Sequence, residues 1–314
     1  MDLGSSSGGQ GVSLQMLRQK EVKSVLNKLK KRDGWFLVDY TLNPFEGCSC
    51  NCQYCYVRGS KYGENMDEGL VVKVNAPELL DKQLSLRARK NQYGFVVVGS
   101  ATDAYIHHES EWKITRRFLE SLLKHQFPVF ISTKTNLIRR DIDLLKEIDK
   151  QARLPEDLKD SINRGLILSV SLSTLDERIS STLEPGALLP GKRLELVNYL
   201  KNEGFLVGVN AIPVLPFISD TEEELDKIIE ATKNSGADYI LVGGLTLFGE
   251  GPADSKTLYF KFLERQFPEL ISKYQHLYQF GYSTQGDYQK KLKERADRLC
   301  SKYGIRNSII SNGV

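Results

Sequence analysis

Four of the chain's five cysteines fall within one short stretch, Cys48, Cys50, Cys52 and Cys55, and the fifth is Cys300. Disulfides need Cα atoms several ångströms apart with converging Cβ vectors, so a knot this tight cannot supply two independent staples. Metal or redox chemistry in a reducing compartment is the expectation. Two ligand sets can be drawn. All four thiolates can hold zinc tetrahedrally, although structural zinc sites usually take their ligands as pairs from separate hairpins. Alternatively Cys48, Cys52 and Cys55 form a C-x3-C-x2-C set with Cys50 as a bystander, since Cys48 and Cys50 point oppositely in an extended chain. Three thiolates on a four-iron cluster leave one iron without a protein ligand and free to bind a small molecule.

The elements that must carry this loop can be read from hydrophobic period. Short apolar runs near 36–42, 95–99, 128–132, 166–172, 205–212 and 237–243 predict strands, most of them buried on both faces. Helical periods over 77–90, 115–125, 141–150, 193–202 and 220–234 alternate with them; Gly204 is the expected stop of the fourth and Asp220 the expected N-cap of the fifth. Six such units predict an α/β fold with parallel strands in a partial, open (β/α)6 TIM-like barrel, fewer than the eight of a closed one. In such a barrel the loop after the first strand lies at the C-terminal face, and Asn43-Pro44 and Gly47 break regular structure there. After Gly249 the alternation stops, and 256–274 and 288–303 predict helices packed on the barrel. The expected organisation is a flexible tail over 1–12, a basic helical extension over 13–35, the barrel core over 36–250 and a helical C-terminal extension over 251–314.

Composition narrows the remaining classes. The 314 residues are 26% charged and 40% hydrophobic, an ordinary globular balance, and the net charge of +3 says little about nucleic acid. The stretch 205–218 is broken by Asn210, Pro213 and Pro216, so no membrane span is expected, and no secretory leader is evident. A cytoplasmic location follows as the expectation. Positive charge concentrates early, at Arg18, Lys20, Lys23, Lys28, Lys30, Lys31 and Arg32. With Leu14, Leu17, Val25, Leu26 and Leu29 at helical spacing, this segment either packs on its own domain or grips nucleic acid or an anionic membrane; the first reading is preferred.

C-x3-C-x2-C with Tyr54 just before its last cysteine resembles the signature of radical S-adenosylmethionine (SAM) enzymes, whose core is a partial (β/α)6 barrel. The segments Asn43-Pro-Phe-Glu-Gly-Cys48 and Tyr54-Cys-Tyr-Val-Arg58 look like the spore photoproduct lyase-like branch. So do Gly99-Ser-Ala-Thr-Asp-Ala-Tyr105 with Glu109, Thr115-Arg116, Thr133-Lys134, Arg140-Asp141, Ser171-Leu-Ser-Thr174, Leu183-Glu-Pro-Gly186 and Ile212-Pro-Val-Leu-Pro216. The resemblance runs from about residue 23 to 244, and its first piece is Lys23-Ser-Val-Leu-Asn-Lys28.

The resemblance implies a four-iron four-sulfur (4Fe-4S) cluster on Cys48, Cys52 and Cys55. SAM chelates the open iron, one electron cleaves its S–C5′ bond, and a 5′-deoxyadenosyl radical abstracts hydrogen from a substrate. It implies SAM and a one-electron reductant, such as ferredoxin or flavodoxin, as partners. Tyr54 is then expected near the adenine, Tyr56 beside the cluster loop and Lys134 against the SAM carboxylate. Ser100, Thr102, Ser171 and Ser173 offer hydroxyls to the amino group or ribose, the competing use being to cap the following helix. Asp103 and Tyr105 are expected at substrate or ribose. Glu184 matches a family position whose role the sequence does not yield. His107 and His108 depart from the family pattern and are not assigned to metal, and Cys300 reads as a packing residue. The named lyase carries a hydrogen-returning cysteine near the strand 95–99, where this chain has Val98-Gly-Ser-Ala101. The substrate is therefore left open: a radical SAM reaction on an unidentified substrate comes first, the same chemistry on nucleic acid second, and a non-enzymatic zinc or iron–sulfur module a distant third.

Overall fold

The computed structural model describes residues 17–63 and 69–310. In chain order the elements are β1 (Arg18–Lys20), β2 (Asn27–Lys28), β3 (Val38–Leu42), β4 (Phe45–Glu46), β5 (Val71–Lys73), α1 (Ala76–Arg89), β6 (Phe95–Val98), α2 (Glu109–Trp112), α3 (Ile114–Lys124), β7 (Val129–Thr133), α4 (Ile142–Gln151), β8 (Leu166–Ser171), α5 (Glu177–Leu183), α6 (Pro190–Asn202), β9 (Leu206–Ala211), α7 (Glu222–Asn234), β10 (Tyr239–Val242), α8 (Ser255–Gln266), α9 (Ile271–Leu277) and α10 (Gly286–Tyr303). The main sheet has the order β10-β9-β8-β7-β6-β3-β2. Its six strands from β3 to β10 run parallel, and β2 alone pairs antiparallel. Among the described residues β10 makes no ladder with β3, so the barrel is open, as expected. A small sheet, β1-β5-β4, stands beside it.

The two faces of the main sheet differ. Val96, Val98, Ile131, Leu168, Val170 and Val209 pack into the core shared with the helices. Val97, Phe130, Ile167, Tyr239 and Leu241 turn to the opposite face, where Leu37, Ile309 and Ile310 complete a second core. By strand alternation this second face ends, toward the strand C-termini, in Ser132, Ser171 and Asn210. Apolar residues thus plug the face at the strand starts and polar ones line it where the loops begin. Gly208 belongs to this face, and a Cβ there would overlap the Tyr239 ring. Tyr239 itself is held by Ser169 Oγ at 2.6 Å and by donation to the Leu168 carbonyl at 2.9 Å, so it cannot step aside. Gly208→Ala is expected to cost about 1–3 kcal/mol of overpacking, read as a lower denaturant midpoint at unchanged slope.

Three expectations need correction. Residues 17–35 contain no helix. Their backbone finds partners elsewhere: β1 pairs with β5 and β2 with β3. The Asn75 side chain bonds both N–H and C=O of Val22, and Gln83 Oε1 accepts from Val25 and Leu26. Tertiary hydrogen bonds replace the helical ones that the apolar spacing predicts. Leu14 and the tail over 1–12 lie outside the described residues. Thr221, not Asp220, caps α7, its Oγ1 accepting from Glu224 N at 3.3 Å. Asp220 is buried instead and accepts from Tyr288 Oη at 2.6 Å. The helix expected over 256–274 breaks into α8 and α9 at the 3₁₀ turn Pro268–Leu270, because Pro268 has no N–H to continue the ladder. The short β1, β4, β5, α2 and α5 are too brief to leave a periodic signal.

Candidate active site

The cysteine loop is held at the C-terminal ends of the strands by its neighbours' polar side chains. Beyond β3, Asn43 Oδ1 accepts from Ala101 N at 2.7 Å and its Nδ2 donates to Ser100 Oγ at 3.0 Å, which joins the ends of β3 and β6. Gly47 turns the chain at φ +81°, and Thr102 Oγ1 donates to its carbonyl at 2.6 Å. Tight turns follow, with Asn51 N bonded to Cys48 O, Cys55 N to Cys52 O and Arg58 N to Cys55 O. Arg58 clamps the loop from outside, its Nε donating to Cys52 O at 3.2 Å and its guanidinium to Ala253 O at 3.3 Å.

All five cysteines are free thiols. Cys50 is buried, 1% exposed, and faces Asp103 Oδ2 at 3.8 Å, whereas Cys48, Cys52 and Cys55 are half-buried. Cys48 accepts from Asp103 N at 3.4 Å. Interaction with Cys50, working against burial and the Asp103 charge, holds the Cys48 thiol below its ordinary pKa. Loss of water pushes Cys52 and Cys55 up, although Lys134 pulls each the other way. Three soft donors, two of which resist ionisation without added positive charge, fit iron, which supplies that charge and takes thiolates. Among the described residues no group of three or more His, Cys, Asp or Glu side chains converges on a single-ion site. A four-iron cluster instead asks each thiolate for a separate iron.

The strand-end residues divide into free and committed groups. Lys134, after β7, has a mostly buried side chain, and its Nζ lies 3.9 Å from Glu184 Oε1. Burial pulls its pKa down, but Cys52 and Glu184 outweigh it and keep the ammonium charged. Ser171 Oγ meets Ser132 Oγ at 3.1 Å, and Ser132 Oγ also accepts from Asn210 Nδ2 at 2.9 Å. Asn210 Oδ1 is buried without a partner. Ser173 Oγ pairs with Tyr54 Oη at 2.8 Å. Tyr54 is buried and donates its hydroxyl to Glu184, so its polar end belongs to an internal network, while its ring belongs to a hydrophobic cluster that includes Leu183, Leu215 and Leu245. Tyr56 is exposed at the rim and donates to Ser100 O at 2.5 Å.

Asp103 is fully engaged in tying strands together. Its carboxylate accepts from Thr133 Oγ1 at 2.8 Å, Lys134 N at 2.7 Å and Tyr105 N at 2.8 Å. It brackets β6 to β7 and sets the backbone of Lys134. Tyr105 lies in the helix-side core, with no exposure, rather than at the mouth. His107 donates its N–H to Ser49 Oγ at 3.2 Å and sits exposed at the loop rim, and burial lowers the His108 pKa. Cys300 packs in the core through α10, as a small apolar residue would.

Sequence reasoning did not find Arg193. It is 1% exposed and pairs with Glu184, its Nη2 2.5 Å from Oε2. Its Nε donates to Leu188 O at 2.6 Å and its Nη1 to Ser171 O at 3.1 Å. Burial would raise the Glu184 pKa, but Arg193 and then Lys134 hold it below the usual carboxylate range. In the sequence Arg193 is one of two adjacent basic residues in the first turn of α6, nine positions after Glu184, and nothing sets it apart from Lys192. The segment between them closes on the cysteine loop: Gly186 N donates to Cys50 O at 3.1 Å, Gln53 N to Leu183 O at 2.8 Å and Leu188 N to Lys134 O at 3.1 Å.

An open parallel barrel carrying a thiol-rich loop on its first strand, with an engaged lysine on its third, defines a class of enzyme. The chain belongs to the radical SAM superfamily, whose family model matches residues 42–232. It is 30% identical over 289 residues to an uncharacterised protein of Mycobacterium tuberculosis (strain ATCC 25618 / H37Rv), covering 90% of this chain and 79% of that one. It is 24% identical over 200 residues to the radical SAM Nα-GlyT isomerase of Pseudomonas phage M6, covering 63% of this chain and 38% of that protein. Among solved structures a spore photoproduct lyase variant superposes with a TM-score of 0.63 at 13% identity, covering 92% of this chain and 81% of that one. Another, with bound AdoMet and dinucleoside spore photoproduct, superposes at 0.61 and 13% identity, covering 90% and 78%. The fold is thus the one expected, and the protein is an enzyme of radical SAM type, a family that uses a 4Fe-4S cluster and SAM. Among the described residues no helix is long and apolar enough to cross a membrane.

Proposed function

We propose that Cys48, Cys52 and Cys55 hold the cluster, that SAM binds across the C-terminal ends of β6 to β9, and that the enzyme takes hydrogen from a substrate by radical chemistry. One observation carries the ligand assignment: three cysteines sit half-buried at the mouth, while Cys50 is buried behind them against Asp103. When bound, the cluster supplies the single electron that cleaves SAM, and hydrogen abstraction from the substrate follows. The protein's part is positional. Lys134 is the cation for the SAM carboxylate, with its backbone held by Asp103. Ser171, Ser173 and Ser100 offer hydroxyl or carbonyl oxygens around the ligand. Thr102 and Asp103 act by fixing the loop, and Tyr54 and Tyr56 wall it. Anaerobic reconstitution with iron and sulfide is expected to give a brown protein whose reduced electron paramagnetic resonance (EPR) signal changes when SAM is added. An unchanged signal at full iron loading would reject the SAM site.

Nucleic acid is the second reading, favoured by one surface. Lys23, Lys28, Lys30 and Lys31 are exposed and form no ion pair among the described residues, and Trp35, close to them in sequence, is half exposed. Cations for phosphates next to an aromatic face for a base suit a single strand. The combined variant K28E, K30E and K31E is expected to weaken binding of a labelled single-stranded oligonucleotide at least ~10-fold and to flatten its salt dependence. Binding of the unaltered protein that is absent, or indifferent to salt, rejects this reading.

A further inference from the structure

Glu184 is buried beside the cysteine loop, bonded to Tyr54, between Cys52 and Cys55. Its carboxylate meets four groups: Arg193 and Ser180 Oγ on one oxygen, Tyr54 Oη and Lys134 on the other. Two cations therefore share one anion inside the protein. Arg193 is satisfied, because its remaining donors reach Leu188 O and Ser171 O. Lys134 is not: its separation of 3.9 Å is an ion pair without a hydrogen bond. The cluster-loop thiol whose charge couples to both Lys134 and Glu184 is Cys52. Within this group of three, Lys134 and Arg193 against Glu184 leave one net positive charge, and the position of the anion decides how much of it the loop feels.

We propose that Glu184 is a positioning residue that sets the electrostatic potential at the cluster, by dividing its single negative charge between Arg193 and Lys134. This rests on the assignment of Cys48, Cys52 and Cys55 as ligands. Adding an electron to a buried centre is easier when nearby charge is more positive, and little water is present to screen the difference. With Glu184 in place, the Arg193 charge is neutralised and Lys134 remains under-compensated. The ammonium is then available to a ligand carboxylate while the cluster keeps a low potential. Neutralising Glu184 leaves both cations bare toward Cys52 and pulls the potential up. Removing the Lys134 charge does the reverse. A residue that served only to pack the 184–189 loop would give no such opposite signs.

The test measures the midpoint potential of the reconstituted full-length protein by EPR-monitored redox titration, for the unaltered chain and for Glu184→Gln, Glu184→Asp and Lys134→Gln. Iron and sulfide content is recorded for each. The expected result is a positive shift for Glu184→Gln, a negative shift for Lys134→Gln and a return toward the unaltered value for Glu184→Asp. Equal potentials across the set at equal iron content overturn the proposal, as do shifts of the same sign in Glu184→Gln and Lys134→Gln. Should Glu184→Gln fail to fold, Lys134→Gln and Glu184→Asp still decide: an unshifted Lys134→Gln overturns the proposal. If the unaltered protein takes up no cluster, the ligand assignment has failed instead, which the iron content reports separately.

Discussion

Alanine in place of Cys48, Cys52 or Cys55 is expected to abolish cluster retention and SAM cleavage, whereas Cys50→Ala is expected to leave both within a few-fold of the unaltered enzyme. The size of the difference follows from coordination. A thiolate lost from a three-ligand site removes a metal bond, and Cys50, buried with its thiol toward Asp103, is not positioned to replace it. Activity is expected to fall by a factor of ~1000 or more, the scale associated with losing a group on which the chemistry depends. Cys50→Ala removes one buried sulfur and the interaction that lowers the Cys48 pKa. Its expected cost is about 1–2 kcal/mol of stability, with the cluster still bound. Iron and sulfide analysis of the four variants, beside product assays, checks the pattern. Equal damage from all four would point to four ligands and revive the zinc or iron–sulfur module.

The second large effect comes from a residue that carries no chemistry. Gly186 lies against the cysteine loop so closely that an ideal Cβ would overlap the Ser49 carbonyl oxygen. The obstacle is backbone, not a flexible side chain, so one of the two loops must move. Moving it breaks the bond from Gly186 N to Cys50 O and shifts Glu184, two residues earlier, away from Tyr54 and Lys134. Gly186→Ala is therefore expected to reduce iron uptake at least ~10-fold and to destabilise the protein by about 1–3 kcal/mol. Far-ultraviolet circular dichroism should remain that of the unaltered chain, because no core strand is touched. Full iron uptake by Gly186→Ala would show that the two loops are not coupled as described.

The barrel was legible because parallel strands buried on both faces appear as short apolar runs, which β6 to β10 all show. Spacing also set Cys50 apart from its neighbours; in the fold Cys50 is buried, and Cys48, Cys52 and Cys55 are half-buried. The N-terminal segment misled for a physical reason: Val25 and Leu26 are buried, but Gln83 of α1 accepts their N–H groups and Asn75 at its cap bonds Val22, both far along the chain. Asp103 was expected at a ligand, and in the fold its carboxylate is a bracket: Tyr105 N bonds it locally, but Thr133 and Lys134 reach it only after β6 and β7 pair. Glu184 was visible as a residue but not as a device. Its meaning depends on Tyr54, 130 positions away, and on Arg193, and only the folded loop joins the three.

The central claim is that these three cysteines build a centre that cleaves SAM. The measurement that tests it most directly is an anaerobic assay of the reconstituted protein with SAM and a strong one-electron reductant, which needs no knowledge of the substrate. 5′-Deoxyadenosine and methionine are expected in equal amounts, formed only when cluster, SAM and reductant are all present, and absent in Cys52→Ala. A fully loaded, reducible protein that forms neither product, or a Cys52→Ala variant that forms both, would contradict the claim.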